Sequence, residues 1–280
     1  MIQAPRDGVA LLGLAVIVIS VMLAAIAPAL APADPVQNDL LERLAPPMWM
    51  DGGSGRHPLG TDTLGRDVVS RLLYGARVSL VVGFAAVILA GALGVALGLV
   101  AGYYGGRLDD ILMRLGDVQL AFPALVLAIA VLAVVGSGLG NIILVLSVTS
   151  WVTYARIARG ETLSLRHREF VEGARALGAR DAGILWRHVL PNVLPSITVV
   201  ATFSVARTII AEASLSFLGL GMPPPAPSWG AMLDEGRNYL TTGWWLALFP
   251  GLAILAVVLG INVVGDWLRD MLDPRLERGM

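Results

Sequence analysis

Two residue types are missing from the chain. None of its 280 residues is cysteine, which excludes a disulfide bond, a thiol nucleophile and a cysteine-ligated metal site. Lysine is also absent, since all 20 basic residues are arginine. The chain therefore cannot supply the lysine of a G-x-x-x-x-G-K-S/T phosphate-binding loop. In any ATP-driven process, the nucleotide would have to bind to another polypeptide.

Charged residues are scarce as well. They make up 15% of the chain, against about 25% in a soluble domain, while 56% of the residues are hydrophobic and the mean hydropathy is +0.74. These values predict an all-α, polytopic membrane protein. The net charge of −1 gives no reason to expect a nucleic-acid partner. The histidines, His57, His167 and His188, show no metal-ligand spacing, so we expect no metal site on this chain.

Uncharged apolar runs predict six membrane-spanning helices. The first run could instead be a signal peptide, since Arg6 precedes it and 29–31 resembles a cleavage site. Its apolar core is longer than the roughly 7–15 residues of signal peptides, which favours a spanning helix. The expected spans are 8–33, 78–106, two helices within 118–155 joined by a bend at 136–141, 194–216 and 242–264, with a short charged turn at 107–116.

We divide the chain after residue 77. Region 1–77 is expected to hold the first spanning helix, an external polar loop and a short helix along the membrane surface that Asp62 caps. Region 78–280 is expected to form a core of five spanning helices. Within it, glycine recurs at every fourth position, which leaves a flat strip where another helix can pack closely. The strip consists of Gly94, Gly98, Gly102 and Gly106.

A charged stretch between the fourth and fifth apolar runs, residues 169–191, is predicted to form two short helices joined by a bend; we call it the elbow. Its first helix has one apolar side, because apolar residues recur at spacings of three and four. Gly178 stands where a left-handed residue would close this helix. Pro191 is expected to end the second helix. The apolar residues are Phe170, Val171, Ala174 and Leu177.

The elbow resembles the coupling loop of ATP-binding-cassette importer permeases, with its pattern E-A-A, three residues, G, nine residues and I-x-L-P. Glu172, Gly173 and Ala174 fill the first three places and Gly178 the glycine place, although Gly173 departs from the usual alanine and His188 from an apolar residue. In that family the loop, here about 161–191, docks on a cytoplasmic ATPase and transmits its closure to the pore. The residues this implies for coupling are Glu169, Phe170, Glu172, Gly173, Ala174, Arg175, Leu177 and Gly178. The residue pattern alone also fits an ordinary amphipathic connector at the membrane interface.

Four further segments resemble the second permease subunit of peptide and nickel importers. They cover 57–80, 211–233, 244–254 and 265–275. The resemblance implies a MetI-like fold and transport by alternating access in a bacterial cytoplasmic membrane. It also implies a sister permease, two cytoplasmic ATPase subunits and an external substrate-binding protein. ATP and magnesium would bind to the ATPases, so this chain would carry no cofactor and would not itself be an enzyme.

The cargo that the resemblance favours is a dipeptide or oligopeptide, with nickel as the alternative. Two other classes fit less well. A secondary transporter would need paired intramembrane acids or repeated halves with broken helices, and the sequence shows no such repeat. A membrane-embedded enzyme would need a catalytic constellation within the spans.

Arginine sets the expected orientation. With the N-terminus inside, thirteen arginines fall on the cytoplasmic side, including seven between Arg156 and Arg187 and two near the end, Arg275 and Arg278. Six fall on the other side, and Arg207 lies within a span. The positive-inside rule therefore places both termini and the elbow in the cytoplasm. The six on the other side are Arg43, Arg56, Arg66, Arg71, Arg77 and Arg237.

Arg207 and Glu212 are the ionisable residues within the spans. An arginine facing lipid at that depth costs at least about 2.5–3.5 kcal/mol, so Arg207 should face a cavity or a carboxylate. Glu212 is five residues further on, roughly 140° around the helix, so the two share no face. Arg207 either pairs with another helix or the sister subunit, or lines the peptide path. We include both residues as candidates for the translocation path.

Overall fold

The computed structural model describes residues 4–272, with side chains from residue 7 onward. Regular structure in this part of the chain is helical, apart from one isolated bridge between Thr61 and Asp67, which confirms the all-α class. Arg275 and Arg278, and the last eight residues of the expected core region, lie outside the described residues. The helices are α1 (Ala4–Ala25), α2 (Ala27–Leu30), α3 (Val68–Tyr104), α4 (Gly106–Leu120), α5 (Ala124–Val135), α6 (Leu139–Leu165), α7 (Glu169–Ala176), α8 (Asp181–Ile184), α9 (Leu190–Phe217), α10 (Trp229–Gly236) and α11 (Trp245–Leu272).

Five helices among the described residues are long and apolar enough to cross a membrane. They are α1, α3, α6, α11 and the continuous helix Asp181–Phe217, which contains α8 and α9. The predicted count of six is reached only if α4 and α5, which meet at an angle of 88°, are taken as one broken span. The predicted charged turn at 107–116 is wrong, because those residues belong to α4. With 12 residues, α5 is only about 18 Å long, too short to cross about 30 Å of hydrocarbon alone.

Residues 57–67 form turns and no separate surface helix before the second span. Helix α3 (Val68–Tyr104) runs without a break, so the prediction of a short helix capped by Asp62 is wrong, and the division after residue 77 falls inside α3. The cap is Asp67, whose Oδ2 accepts a hydrogen bond from the Ser70 backbone N–H at 2.7 Å. Asp62 instead accepts hydrogen bonds from two backbone N–H groups in the turn before the helix.

Helices α3 and α6 pack along the predicted glycine strip. A Cβ atom on Gly94 or Gly98 would overlap backbone carbonyl oxygens of α6, and one on Gly102 would lie 2.7 Å from Cβ of Thr162. Gly106 takes no part, since its φ is +59° and a Cβ there would meet nothing within 4 Å. The strip is confirmed for three of its four glycines.

The hydrophobic core extends from the spans into the elbow. Val171, Ile184 and Val189 of the elbow are fully buried and belong to the same apolar cluster as Val95 and Leu99 of α3. Apolar surface removed from water contributes about 25 cal/mol per Å², so this burial holds the elbow against the ends of the spans. The elbow is therefore part of the bundle and not a loose loop.

At the other end of α3, ion pairs join the segment before this helix to α10. Arg66 Nε lies 2.6 Å from Asp62 Oδ2, and Arg71 Nη2 lies 2.9 Å from Glu235 Oε1. Arg71 also pairs with Asp62. Only Glu235 of these four is appreciably exposed, with 31% of its side chain accessible. Removing one partner of a buried pair costs about 3–5 kcal/mol, so the cluster fixes the segment before α3 on the bundle.

Candidate functional site: the elbow between α6 and α9

The first half of the elbow is α7, and it ends in a left-handed turn at Gly178. The φ angle of Gly178 is +80°, as predicted from its position in the sequence. Its N–H donates to the carbonyl oxygen of Arg175 at 3.0 Å, and the N–H of Ala179 donates to that of Ala174 at 3.1 Å. This pair of bonds is a Schellman motif, which satisfies the last carbonyls of the helix and sets the direction of the chain after it. Helix α6 continues to Leu165, so the first residues of the expected 161–191 range belong to α6 and not to the elbow.

Only part of the apolar side of α7 faces the bundle. Val171 is fully buried and Ala174 packs against the core, whereas Phe170 is 44% exposed and Leu177 is 91% exposed. In the second half of the elbow, Trp186 is 72% exposed. Large apolar side chains that stay exposed on a charged segment mark a surface that another molecule can cover.

The polar face of α7 is open. Glu169, Glu172 and Arg175 are exposed, and a Cβ atom added to Gly173 would meet nothing within 4 Å. Around Gly173 this face is therefore not packed against the rest of the chain, and it has room for a partner. The described residues contain no group of three or more His, Asp and Glu side chains that could hold a metal ion.

Tyr103, near the end of α3, connects the two halves of the elbow. Its hydroxyl group donates to Asp181 Oδ1 at 2.8 Å and accepts from Arg175 Nη2 at 3.2 Å. The Arg175 guanidinium also lies 5.6 Å from the centre of the Tyr103 ring, and the hydrogen bond to Tyr103 raises the pKa of Arg175. Sequence reasoning missed Tyr103; the only signal was the adjacent tyrosine pair, Tyr103 and Tyr104, at the end of an apolar run.

The second half of the elbow is continuous with the fifth span. Helix α8 passes through a π-helical turn, Leu185–Val189, directly into α9. The prediction that Pro191 ends this helix is wrong. Proline lacks the N–H and clashes with the carbonyl group four residues before it, and the wider π turn just before Pro191 accommodates both. At the end of the π turn, the N–H of Leu190 donates to the carbonyl oxygen of Leu185, five residues back.

The two candidates for the translocation path lie in different surroundings. Glu212 is fully buried, and its carboxyl group accepts hydrogen bonds from Ser79 Oγ at 2.9 Å and Ser216 Oγ at 2.7 Å. It therefore joins α9 to α3 and is closed off from the surface of this chain. Arg207 is exposed and lines a groove of about 390 Å³ formed mainly by α5, α6 and α9.

The fold and the elbow together define a class of membrane protein. The family profile described as "Binding-protein-dependent transport system inner membrane component" matches residues 94–278, and a second one, "N-terminal TM domain of oligopeptide transport permease C", matches residues 6–47. The chain belongs to this family of permease subunits, which serve ATP-binding-cassette importers, and it is a multi-pass protein of the inner membrane.

Individual relatives cover nearly the whole chain. It is 42% identical over 268 residues to the di/tripeptide transport system permease protein DppC of Pseudomonas aeruginosa (strain UCBPP-PA14), covering 96% of this chain and 88% of the relative. It is 48% identical over 227 residues to the glutathione transport system permease protein GsiD of Pectobacterium atrosepticum, covering 81% and 75%. A solved structure of the MetNI methionine ABC transporter in an inward-facing conformation aligns with a TM-score of 0.58 at 20% identity, covering 72% of this chain and 96% of the other, which confirms the MetI-like fold.

Proposed function

We propose that this chain is one of two permease subunits of an importer for short peptides. The cargo assignment is supported by the relatives, whose names refer to dipeptides, di/tripeptides and glutathione, itself a tripeptide. A sister permease would complete the path across the membrane. An external binding protein would deliver the peptide, and two ATPase subunits would supply the energy.

The observation that carries this proposal is the exposed surface of the elbow. Phe170, Leu177 and Trp186 offer apolar contacts to an ATPase, while Glu169 and Glu172 add charges that can fix its register. ATP and magnesium bind to the ATPases, because this chain has no lysine for a phosphate-binding loop. The elbow then lies in the cytoplasm together with both termini, as the distribution of arginine favours.

Closure of the ATPases moves the spans through the elbow. A force on α7 reaches α3 through Tyr103, and it reaches the fifth span through the continuous helix Asp181–Phe217. A helix that is buried along one side transmits displacement because packed interfaces deform little. Rocking of the spans opens the path outward to receive the peptide, and hydrolysis of ATP resets it inward.

The test uses the complete complex in proteoliposomes, with radiolabelled Ala-Phe as cargo and the binding protein present. ATP-dependent uptake is expected, and uptake by the permeases alone in a proton gradient would overturn the proposal in favour of a secondary transporter.

Glu172→Arg should lower the number of peptides imported per ATP hydrolysed by roughly 10-fold, because a reversed charge at an interface is repelled. The matched control is Asp266→Arg, an exposed acid of α11 outside the elbow, which should behave as the wild type.

A further inference from the structure

The groove around Arg207 contains an uncompensated positive charge. Among residues 7–272, no side chain forms an ion pair or hydrogen bond with Arg207, and none of the residues lining the groove is acidic. Arg207 lies ten residues, about 15 Å, before Phe217, the end of α9, and inside the apolar run that predicts the fifth span, which indicates a position at hydrocarbon depth. A charge at this depth that faced lipid would be costly, so the groove does not face lipid.

A second feature of the groove points the same way. Leu120 and Ala124, on either side of the 88° break between α4 and α5, also line it. At membrane depth, backbone that is not helical is tolerated only where protein buries it or where it borders a water-filled cavity. The break is exposed in this chain at Ala121, Phe122 and Pro123. By this rule, the groove beside it is either filled with water or covered by another protein.

The rest of the lining fits a wet cavity. Several hydroxyl groups surround Arg207, and those of Thr149, Ser204 and Ser214 donate to carbonyl oxygens of their own helices, which leaves their oxygen atoms free to accept. The volume of about 390 Å³ is in the range of small-molecule sites, about 300–1,000 Å³. The hydroxyl-bearing residues are Thr149, Ser150, Thr153, Ser204, Thr208 and Ser214.

We propose that this groove is a binding site on the transport path for the carboxylate of the cargo, with Arg207 as its anchor. The inference rests on the proposed function, since it assigns the ligand group that a peptide would present. A peptide carries an ionised C-terminal carboxylate at neutral pH, and a guanidinium group binds a carboxylate through two parallel hydrogen bonds. The competing occupant is a carboxylate of the sister permease, and the experiment separates the two.

The experiment compares wild-type, Arg207→Gln and Arg207→Lys complexes in proteoliposomes, using Ala-Phe and its C-terminal amide as cargo. The Arg207→Gln complex loses a charged hydrogen bond to the cargo, so its uptake of Ala-Phe should be at least about 10-fold lower than that of the wild type. The Arg207→Lys complex keeps the positive charge and should retain part of the wild-type uptake. The ratio of acid to amide uptake should fall in Arg207→Gln. Arg77→Gln is the matched control, an exposed arginine of α3 outside the groove that should leave uptake unchanged.

Assembly is measured on the same samples, as the yield of sister permease that co-purifies and the melting temperature of the complex. Both should stay at the wild-type values in Arg207→Gln. Loss of co-purification would overturn the inference and assign Arg207 to pairing with the sister subunit. An unchanged Ala-Phe uptake, or an unchanged ratio of acid to amide, would also overturn it. Each of these outcomes presupposes a wild-type complex that imports Ala-Phe, whereas a wild type without uptake contradicts the proposed function itself.

Discussion

At the scale of single residues, the glycines of α3 show how far spacing alone can lead. Their four-residue period predicts a flat strip, and the structure places α6 against Gly94, Gly98 and Gly102. The period could not identify α6 as the partner, because any helix can approach such a strip. It also included Gly106, which serves a different need, as a left-handed residue beside Gly105 at the junction of two helices.

The strip gives a prediction for stability. Gly98→Ala should lower the free energy of unfolding by about 1–3 kcal/mol, because its Cβ atom would overlap the carbonyl oxygen of Ala155 on α6. Gly91→Ala is the control on the same helix, where the nearest atom, Cε1 of Tyr154, would lie at an ordinary 3.8 Å. The measurement is thermal unfolding of the purified complex in detergent. Equal melting temperatures for the two variants would mean that α3 and α6 are not in close contact.

At the scale of elements, local sequence signals were enough to predict α7, whereas the start of α3 depends on tertiary interactions. The turn at Gly178 could be predicted because a left-handed glycine after an amphipathic helix is encoded within a few residues. The start of α3 could not be predicted from the sequence, because Asp62 and Asp67 are both suitable N-cap residues. Asp62 is occupied by two arginines in a cluster that also includes Glu235, far away in the sequence. The prediction that Pro191 ends the helix failed because the π turn that accommodates this proline leaves no pattern in hydrophobic spacing.

Glu212 and Arg207 illustrate the same division within one helix. Their angular separation on α9 predicts different faces, and the structure has one buried and the other exposed. Which of them faces the bundle depends on Ser79 of α3, a residue that nothing in the sequence near Glu212 indicates.

The connection between α3 and the elbow can be tested by removing a single oxygen atom, the hydroxyl oxygen of Tyr103. Tyr103→Phe removes the hydroxyl group that binds Asp181 and Arg175 but keeps the ring, so each lost hydrogen bond costs about 1 kcal/mol and the fold remains. We expect fewer peptides imported per ATP hydrolysed. Tyr104→Phe is the control, because Tyr104 is 54% exposed and contacts Tyr103 only through its ring. If both variants couple like the wild type, force does not pass through Tyr103.

At the scale of the whole molecule, α3 separates two groups of arginines. Arg71 lies in its first turn, while Arg166 donates to the carbonyl oxygen of Gly102 near its other end, 3.1 Å away. A helix of 37 residues is about 56 Å long, more than the thickness of the hydrocarbon layer, so these two arginines are far enough apart to lie on opposite sides of it. This agrees with the assignment of the two groups to different compartments, and the positive-inside rule then chooses which end is cytoplasmic.

The absence of cysteine makes this orientation directly measurable, since any single cysteine introduced is the only thiol in the chain. Leu41→Cys places it in the segment between α2 and α3, where Leu41 is 98% exposed, and Leu177→Cys places it on the elbow, where Leu177 is 91% exposed. A maleimide that cannot cross membranes should label Leu41→Cys in intact spheroplasts and Leu177→Cys only after lysis. The unsubstituted chain is the control. After lysis, co-expressed ATPase subunits should slow the labelling of Leu177→Cys, because they would cover it. Labelling of Leu177→Cys in intact spheroplasts would place the elbow outside the cell, away from ATP, and would end the coupling role proposed for it.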